Sequence, residues 1–219
     1  MTTVAPKIET LARDVPGAET LLGAIRLFTR FPTPRILLAK LSILVFARAW
    51  VGGLGGWDLA IVAGVATYWP LQEWFLHKSL LHLRPRTVLG VQVDPVFARY
   101  HRYHHRHPWV LERTFLPTAV LVPLLPINVA LWWLIMPSWG LAITAMAAMT
   151  AAALVYEWTH YLTHTPYRPR SAYYRRIHRN HMLHHFKDDA AYFAFTAPWM
   201  DEWLGTGDAA RRDEQPPQD

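Results

Sequence analysis

Cysteine is absent from all 219 residues of this chain. That absence excludes disulfides, thiolate ligation of iron–sulfur clusters and a thiolate nucleophile. Charge is nearly missing from long tracts: apolar stretches run roughly over 36–54, 57–76, 115–136 and 139–158, and the last two hold almost no ionisable side chain. Lysine and arginine are missing from the two short turns near 52–58 and 137–139. The first 30 residues contain Pro6, Asp14 and Glu19 and show no charged start followed by an apolar core and cleavage site, so no secretory signal is expected. There is no clear internal repeat, although each half pairs an apolar hairpin with a histidine-rich segment.

The length suits one domain, and 52% of the residues are hydrophobic. A bilayer core of about 30 Å takes about 20 apolar residues per helix, and all four stretches are long enough. Arg48 weakens the first, while Pro123 and Pro126 would kink the third, which membrane bundles tolerate. Trp50, Trp57, Trp74, Trp139 and Trp158 fall at the ends of these stretches, as an interfacial aromatic belt requires. Segments 1–40, 77–113 and 160–219 carry 6, 7 and 8 of the 22 lysines and arginines, with only Arg48 elsewhere. By the positive-inside rule both hairpins turn outside, and both termini face the cytoplasm. The expected fold is all-α and integral to the membrane: four transmembrane helices in two hairpins with a cytoplasmic helical cap. Residues 1–35 form an N-terminal cytoplasmic segment, 36–204 the membrane-embedded domain and 205–219 a disordered tail. The high pI of about 9.8 then reflects charge beside a membrane rather than a nucleic-acid partner.

What the chain has in abundance is histidine, 12 in all, in four clusters on the basic side. The first is His77 and His82, the second His101, His104 and His105 with His107 just beyond, the third His160 and His164, the fourth His178, His181, His184 and His185. Residues three and four apart on a helix share a face, so the last three clusters each converge. His77 and His82 are five apart, about 140° around an ideal helix, and converge only if the helix ends or bends there, as the nearby Pro85 suggests. Imidazole is the commonest side-chain metal ligand. Ten well-spaced rings exceed the needs of one tetrahedral ion and suit two.

The series His-x4-His, His-x2-His-His, His-x3-His, His-x2-His-His resembles the fatty acid hydroxylase and sterol desaturase superfamily of integral-membrane dimetal oxygenases. The wording of 70–82 (PLQEWFLHKSLLH), 156–164 (YEWTHYLTH) and 181–186 (HMLHHF) is most similar to the fatty acid 2-hydroxylases. The resemblance spans about residues 57–205. It implies that His77, His82, His101, His104, His105, His160, His164, His181, His184 and His185 are the metal ligands. His107 and His178 lie outside the matching positions and are expected beside the ligands or at the surface. Glu73 and Glu157 are expected to hydrogen-bond ligand N–H groups rather than bind metal, although Glu157-x-x-His160 also has the form of a di-iron ligand motif.

The resemblance further implies an O2-dependent di-iron enzyme that hydroxylates the acyl chain of a fatty acid or membrane lipid. Zinc has no redox chemistry, so zinc in a purified sample would be a substitute for iron. A fused cytochrome has no room in this length, so electrons are expected from a separate protein. Arg84, Arg86, Arg99, Arg102, Arg168 and Arg170 form a basic ring that either holds an anionic head group or simply sets topology. Asp188, Asp189, Asp201 and Glu202 are expected to pair with arginines. Other readings stay open at this point: a sterol or carotenoid oxidase, a lipid desaturase or an aldehyde-forming lipid oxygenase with the same ligands, a non-catalytic metal-binding lipid-interaction protein, a membrane metal transporter, or a large soluble helical protein.

Overall fold

The computed structural model describes residues 17–168 and 170–208, and these are mostly helical. A short helix α1 (Leu21–Phe28) precedes two long ones, α2 (Pro32–Val51) and α3 (Gly56–Leu76). A π-helical turn, His77–Leu81, extends α3, and a two-stranded ribbon follows, β1 (Arg86–Val88) and β2 (Val91–Val93). Then come α4 (Val96–Arg106), a 3-10 turn at Leu111–Arg113, the long helices α5 (Thr118–Ile135) and α6 (Trp139–Thr163), α7 (Ala172–Phe186) and the single turn α8 (Met200–Trp203).

Helix α6 is the centre of the bundle and packs against α2, α3 and α5. Its sequence explains both the helix and the packing. Ser138 caps the N-terminus through the Leu141 N–H, and the run from Ala142 to Ala153 is rich in the best helix former. Ala142 and Ala145 are wholly buried and Met146 nearly so, against Leu44. Small residues let apolar helices approach closely where no hydrophobic force separates inside from outside.

The outward faces of these helices are apolar. Phe46 is 70% exposed, Trp50 82%, Trp57 76% and Leu134 79%, the inverse of a water-soluble bundle. Two helical segments among the described residues, Leu111–Ile135 and Trp139–Thr163, are long and apolar enough to cross a membrane. The other two long helices carry charge inside them, namely Arg35, Lys40 and Arg48 in α2 and Asp58 and Glu73 in α3.

Arg48, the charge that interrupts the apolar run of α2, is itself buried and paired. Its Nε donates to Asp58 Oδ1 (2.9 Å) and to Thr144 Oγ1 (2.9 Å), and its Nη2 lies 2.8 Å from the same carboxylate. The guanidinium also donates to the carbonyls of Gly52 and Gly53 beyond the end of α2. Asp58 Oδ2 accepts the Gly55 N–H (2.9 Å) at the start of α3. One buried pair therefore closes the α2–α3 turn and pins it to α6. Removing one partner of such a pair typically costs about 3–5 kcal/mol because the other charge is left buried.

Three further departures from expectation are local. The π turn answers the five-residue interval of His77 and His82. Its i→i+5 bonding widens the turn, so residues five apart come to one face, and the two rings lie 5.2 Å apart. The β ribbon interrupts an otherwise helical chain with Leu89-Gly90 as a two-residue loop. Both loop residues have positive φ, +48° and +79°, the type I′ pattern that favours Asn-Gly. Finally, residues 205–208 are not part of a disordered tail. Thr206 donates to Asp201 (2.7 Å) and accepts from Trp74 Nε1 (3.0 Å), and Asp208 pairs with Arg179. The rest of the expected tail, like the first part of the N-terminal segment, lies outside the described residues.

Candidate metal centre

The ends of α3, α4, α6 and α7 meet at one end of the bundle, and each brings histidine. Two groups of five result, with potential ligand atoms within 4.8 Å of one another inside each group. The first holds His77, His82, His101, His105 and His184, and the second His104, His160, His164, His181 and His185. Helices α4 and α7 serve both. His101 and His105, one turn apart, face the first group while His104 faces the second; His181 and His185 face the second while His184 faces the first. The groups adjoin, with the His105 and His185 rings stacked at 4.2 Å.

The nitrogens converge in a way that imidazoles alone do not explain. His77 Nδ1 lies 2.7 Å from the Phe193 carbonyl oxygen, and His184 Nδ1 lies 2.6 Å from that of Ala191. A carbonyl only accepts, so both rings donate through Nδ1–H and keep a lone pair on Nε2. Yet His184 Nε2 is 3.2 Å from the Nε2 atoms of both His82 and His105. His101 Nε2 is 3.1 Å from His82, 3.0 Å from His105 and 3.1 Å from His77. Four Nε2 atoms thus close a ring, with a fifth beside it. Two nitrogens bound at right angles to an ion at about 2.1 Å lie about 3.0 Å apart, and tetrahedral ones about 3.4 Å. The observed edges match the first case and suit a metal with more than four ligand positions.

The second group has the same character. His160 and His104 Nε2 atoms are 3.1 Å apart, and those of His164 and His181 are 2.6 Å apart. His185 has no hydrogen-bond partner on either nitrogen among the described residues, although both are buried. Buried polar atoms without partners are rare and costly, and a cation between these rings would satisfy them. The residues therefore fit two metal ions.

Electrostatics prepares the rings for this role. Burial, reinforced by neighbouring histidines, holds His101, His104, His181, His184 and His185 well below the usual imidazole range, and His105 is brought down to about 3. Neutral imidazole is the ligating form.

His107 and His178 enter neither group. His107 caps α4 and packs at a tilt against Tyr103, with ring centroids 4.5 Å apart; His178, half-buried on α7, lies outside the cluster. The expectation for the two glutamates is corrected: neither accepts a hydrogen bond from a histidine. Glu157 Oε1 accepts the Leu116 N–H (3.0 Å). Glu73 accepts four bonds, from Phe195 N–H (2.8 Å), Thr196 N–H (2.6 Å), Thr196 Oγ1 (2.8 Å) and Trp69 Nε1 (3.0 Å). The N–H groups of His77 and His184 go instead to backbone carbonyls, those of Phe193 and Ala191. Among the arginines, Arg102 pairs with Asp94 at 2.5 Å. Among the described residues Asp201 joins no arginine but accepts the N–H groups of Phe193 (2.8 Å) and Ala194 (3.1 Å), whereas Glu202 does pair with Arg176 at 3.5 Å.

Sequence reasoning missed the segment that these carboxylates hold. Residues 191–197 are almost wholly buried and form the floor of the site. The Phe193 ring contacts His77, His82 and His184 at 5.4–5.5 Å, and Phe195 contacts His181 at 4.4 Å and His160 at 4.8 Å. Asp201 and Glu73 between them accept four consecutive backbone N–H groups, from Phe193 to Thr196. The available signal was the alternation Phe193-x-Phe195 just after the last histidine cluster.

A cavity of about 190 Å³ opens onto both groups, touching His77 and His101 of the first and His160 of the second. Its walls are largely apolar, with Leu76, Leu81, Phe97, Phe115 and Leu116, and its polar members include Gln72, Tyr156, Glu157 and Arg113. The Arg113 guanidinium sits over the rings of Tyr100 (4.5 Å) and Tyr103 (4.9 Å).

Comparison with known proteins agrees with this architecture. The chain matches the fatty acid hydroxylase family over residues 62–206. It is 28% identical over 149 residues to the dihydroceramide fatty acyl 2-hydroxylase FAH2 of Arabidopsis thaliana, covering 68% of this chain and 60% of that protein. It is 23% identical over 179 residues to the fatty acid 2-hydroxylase of Homo sapiens, covering 82% and 44%. The chain therefore spans about half the length of the curated relatives it matches. Its fold resembles a solved structure of full-length scs7p in which only the hydroxylase domain is visible, with a TM-score of 0.59 at 21% identity over 78% of this chain and 62% of that one. Matched over most of its length, the chain belongs to the fatty acid hydroxylase family.

Proposed function

We propose that this protein is a membrane di-iron oxygenase that hydroxylates the acyl chain of a fatty acid or membrane lipid near its carboxyl end. The observation that carries the reading is an apolar cavity that opens onto both histidine groups. The relatives, a dihydroceramide fatty acyl 2-hydroxylase and a fatty acid 2-hydroxylase, support the substrate and the position. In this reading the ten clustered histidines hold the metals, with iron as the native pair.

When bound, the iron pair would supply activation of O2 with two external electrons and two protons, so that one oxygen atom enters a C–H bond and the other leaves as water. The chain's own residues do the rest. Leu76, Leu81, Phe97, Phe115 and Leu116 enclose the acyl chain and exclude water. Arg113, steadied by Tyr100 and Tyr103, offers N–H donors to the polar end of the substrate. Because that anchor and the histidines line one cavity, the first carbons of the chain lie nearest the ligands. Asp201 and Glu73 fix the floor, whose carbonyls orient His77 and His184.

The four long helices, α2, α3, α5 and α6, cross the membrane as two hairpins within an embedded domain of 36–204, after an N-terminal segment of 1–35. The histidines and both termini then lie on the cytoplasmic side, where a separate electron-transfer protein reaches them. The lipid-facing character of the outer surfaces and the distribution of lysine and arginine support this placement.

Reconstitution with iron, a reductase system and 18O2 tests the reaction. The expected product is an acyl chain heavier by one 18O, located near the carboxyl group. Loss of two hydrogens without oxygen would make the protein a desaturase, and 18O on a sterol or carotenoid ring would refute the acyl substrate.

A further inference from the structure

The ribbon at 86–93 plays no part in the cavity, yet it is built in an unusual way. The register pairs Arg86 with Val93, Thr87 with Gln92 and Val88 with Val91. Side chains alternate along a strand, so Arg86, Val88, Val91 and Val93 share one face, while Thr87 and Gln92 share the other and hydrogen-bond to each other at 3.3 Å. The valine face has no cover: Val88 is 51% exposed, Val91 64% and Val93 43%. At the tip Leu89 is fully exposed at 100% and holds φ +48°, a conformation disfavoured for a branched side chain. Asn or Gly would fill that turn without strain and without exposing hydrocarbon, so water alone gives no reason for leucine here.

The root of the ribbon is firm and its collar is charged. Arg102 on α4 donates to the Leu83 carbonyl and pairs with Asp94 at 2.5 Å, tying together the two chains that enter and leave the ribbon. Arg84, Arg86 and Arg99 are exposed, and none has an acidic partner among the described residues. The ribbon emerges just after His82, where α3 reaches the basic side of the molecule.

We propose that the 86–93 ribbon is a membrane-surface anchor: its valine face and Leu89 tip enter an anionic lipid interface while Arg84, Arg86 and Arg99 meet the head groups. Unpaired arginines complement anionic lipid, and the embedded helices begin beside the ribbon, so its neighbouring surface is the bilayer. The aliphatic make-up favours lipid over a protein partner. Protein interfaces draw their binding energy from Trp, Tyr and Arg anchors with valine and leucine under-represented, and this face offers no aromatic ring. The inference rests on the membrane placement proposed above and not on the reaction.

The absence of native cysteine allows a direct test in the full-length, metal-loaded protein. An environment-sensitive fluorophore is placed singly at V91C, Q92C or L134C, and the protein is reconstituted in nanodiscs with and without phosphatidylglycerol. In the anionic discs the probe at 91 should shift to the blue, lose quenching by aqueous iodide and gain quenching by shallow spin-labelled lipid. Its neighbour at 92 should stay open to iodide. Replacing Arg84, Arg86 and Arg99 with Gln should release position 91, each arginine contributing about fivefold to the partition. Leu89→Asn, which suits the turn, keeps the ribbon folded and should also weaken insertion. Equal iodide access at 91 and 92 overturns the proposal, as does protection of 91 that appears only when a soluble protein is added. Position 134, 79% exposed on α5, separates the two layers of inference. Water there refutes the membrane placement itself, whereas lipid at 134 with water at 91 refutes only the ribbon.

Discussion

Glu73→Gln is a change of one atom in a side chain that touches no histidine, and it should nevertheless loosen metal. Glu73 Oε1 accepts two backbone N–H groups, and Oε2 accepts Thr196 Oγ1 and Trp69 Nε1. Glutamine keeps one oxygen for the backbone pair but turns two charge-assisted bonds into neutral ones. Its amide nitrogen can donate to the Thr196 hydroxyl, which reverses its role. The Trp69 N–H cannot reverse and is left facing another donor. An unsatisfied buried donor costs about 1–3 kcal/mol, and loss of charge assistance adds about 1 kcal/mol, so the tether loses about 2–4 kcal/mol. That tether holds Phe195 and Thr196, two residues beyond the Phe193 carbonyl that fixes His77. Outer hydrogen-bond partners of ligands typically carry about 10–100-fold in metal affinity, and a loss within that range is expected here. Chelator competition on tag-free protein, followed by elemental analysis, measures it. The double variant Trp69→Phe/Glu73→Gln removes the stranded donor and should recover part of the affinity. Wild-type chelator resistance in Glu73→Gln, or no difference between the single and double variants, would refute the reasoning.

Elemental analysis should give close to two metals per chain, with His184→Ala and His104→Ala each emptying one group while His107→Ala and His178→Ala change affinity by less than about tenfold; a reproducible wild-type value of one would refute the dinuclear site. The ligand rings stay neutral in the fold below the usual imidazole pKa of about 6.5, whereas the unfolded chain takes up protons there, so stability of the metal-free protein should be full above about pH 6.5 and fall on acidification. Each such ring contributes up to about 2 kcal/mol of that loss at pH 5; a melting temperature unchanged from pH 8 to 5 would contradict the buried, neutral cluster. Externally added impermeant thiol reagent should label single cysteines at Gly55 and Ser138 and miss one at Thr87, and the reverse pattern would invert the topology.

How much of this was legible in the chain depended on whether a feature was periodic. The histidine intervals of three and four already place His101, His104 and His105 on one face, because helix geometry is local. The division of that face between two groups was not legible, since it depends on where α3, α6 and α7 end in space. The π turn was hidden for a related reason. The five-residue interval of His77 and His82 signals a departure from the α-helix, but a bend, an end and a wider turn satisfy it equally. The roles of Glu73 and Asp201 lay beyond local reading altogether, because Glu73 reaches a partner 123 residues away and no spacing rule covers such a reach. Leu89-Gly90 escaped because a leucine in the first position of the turn masks the usual hairpin signal.

The two ends of the bundle show opposite uses of buried charge, and the contrast accounts for where chemistry is placed. At the α2–α3 turn, Arg48 and Asp58 meet directly, and their donors and acceptors are closed by Thr144, Gly52, Gly53 and Gly55. The donors and acceptors of the pair are spent within the network, which holds the helices together. At the other end the carboxylates are kept away from the basic groups. Glu73 and Asp201 accept the backbone N–H groups of the floor together with Thr196, Trp69 and Thr206 side chains, and the ten histidines face one another, with His77 and His184 fixed to present their Nε2 lone pairs inward. A carboxylate pointed into that cluster would raise imidazole pKa values and favour protons as the cations that fill it. Set one link back, Asp201 holds the N–H groups on either side of the Phe193 carbonyl that fixes the tautomer of His77, and the rings remain neutral. The cluster repels protons and is stabilised by a cation that binds lone pairs, which is the condition a metal centre beside an apolar cavity has to meet.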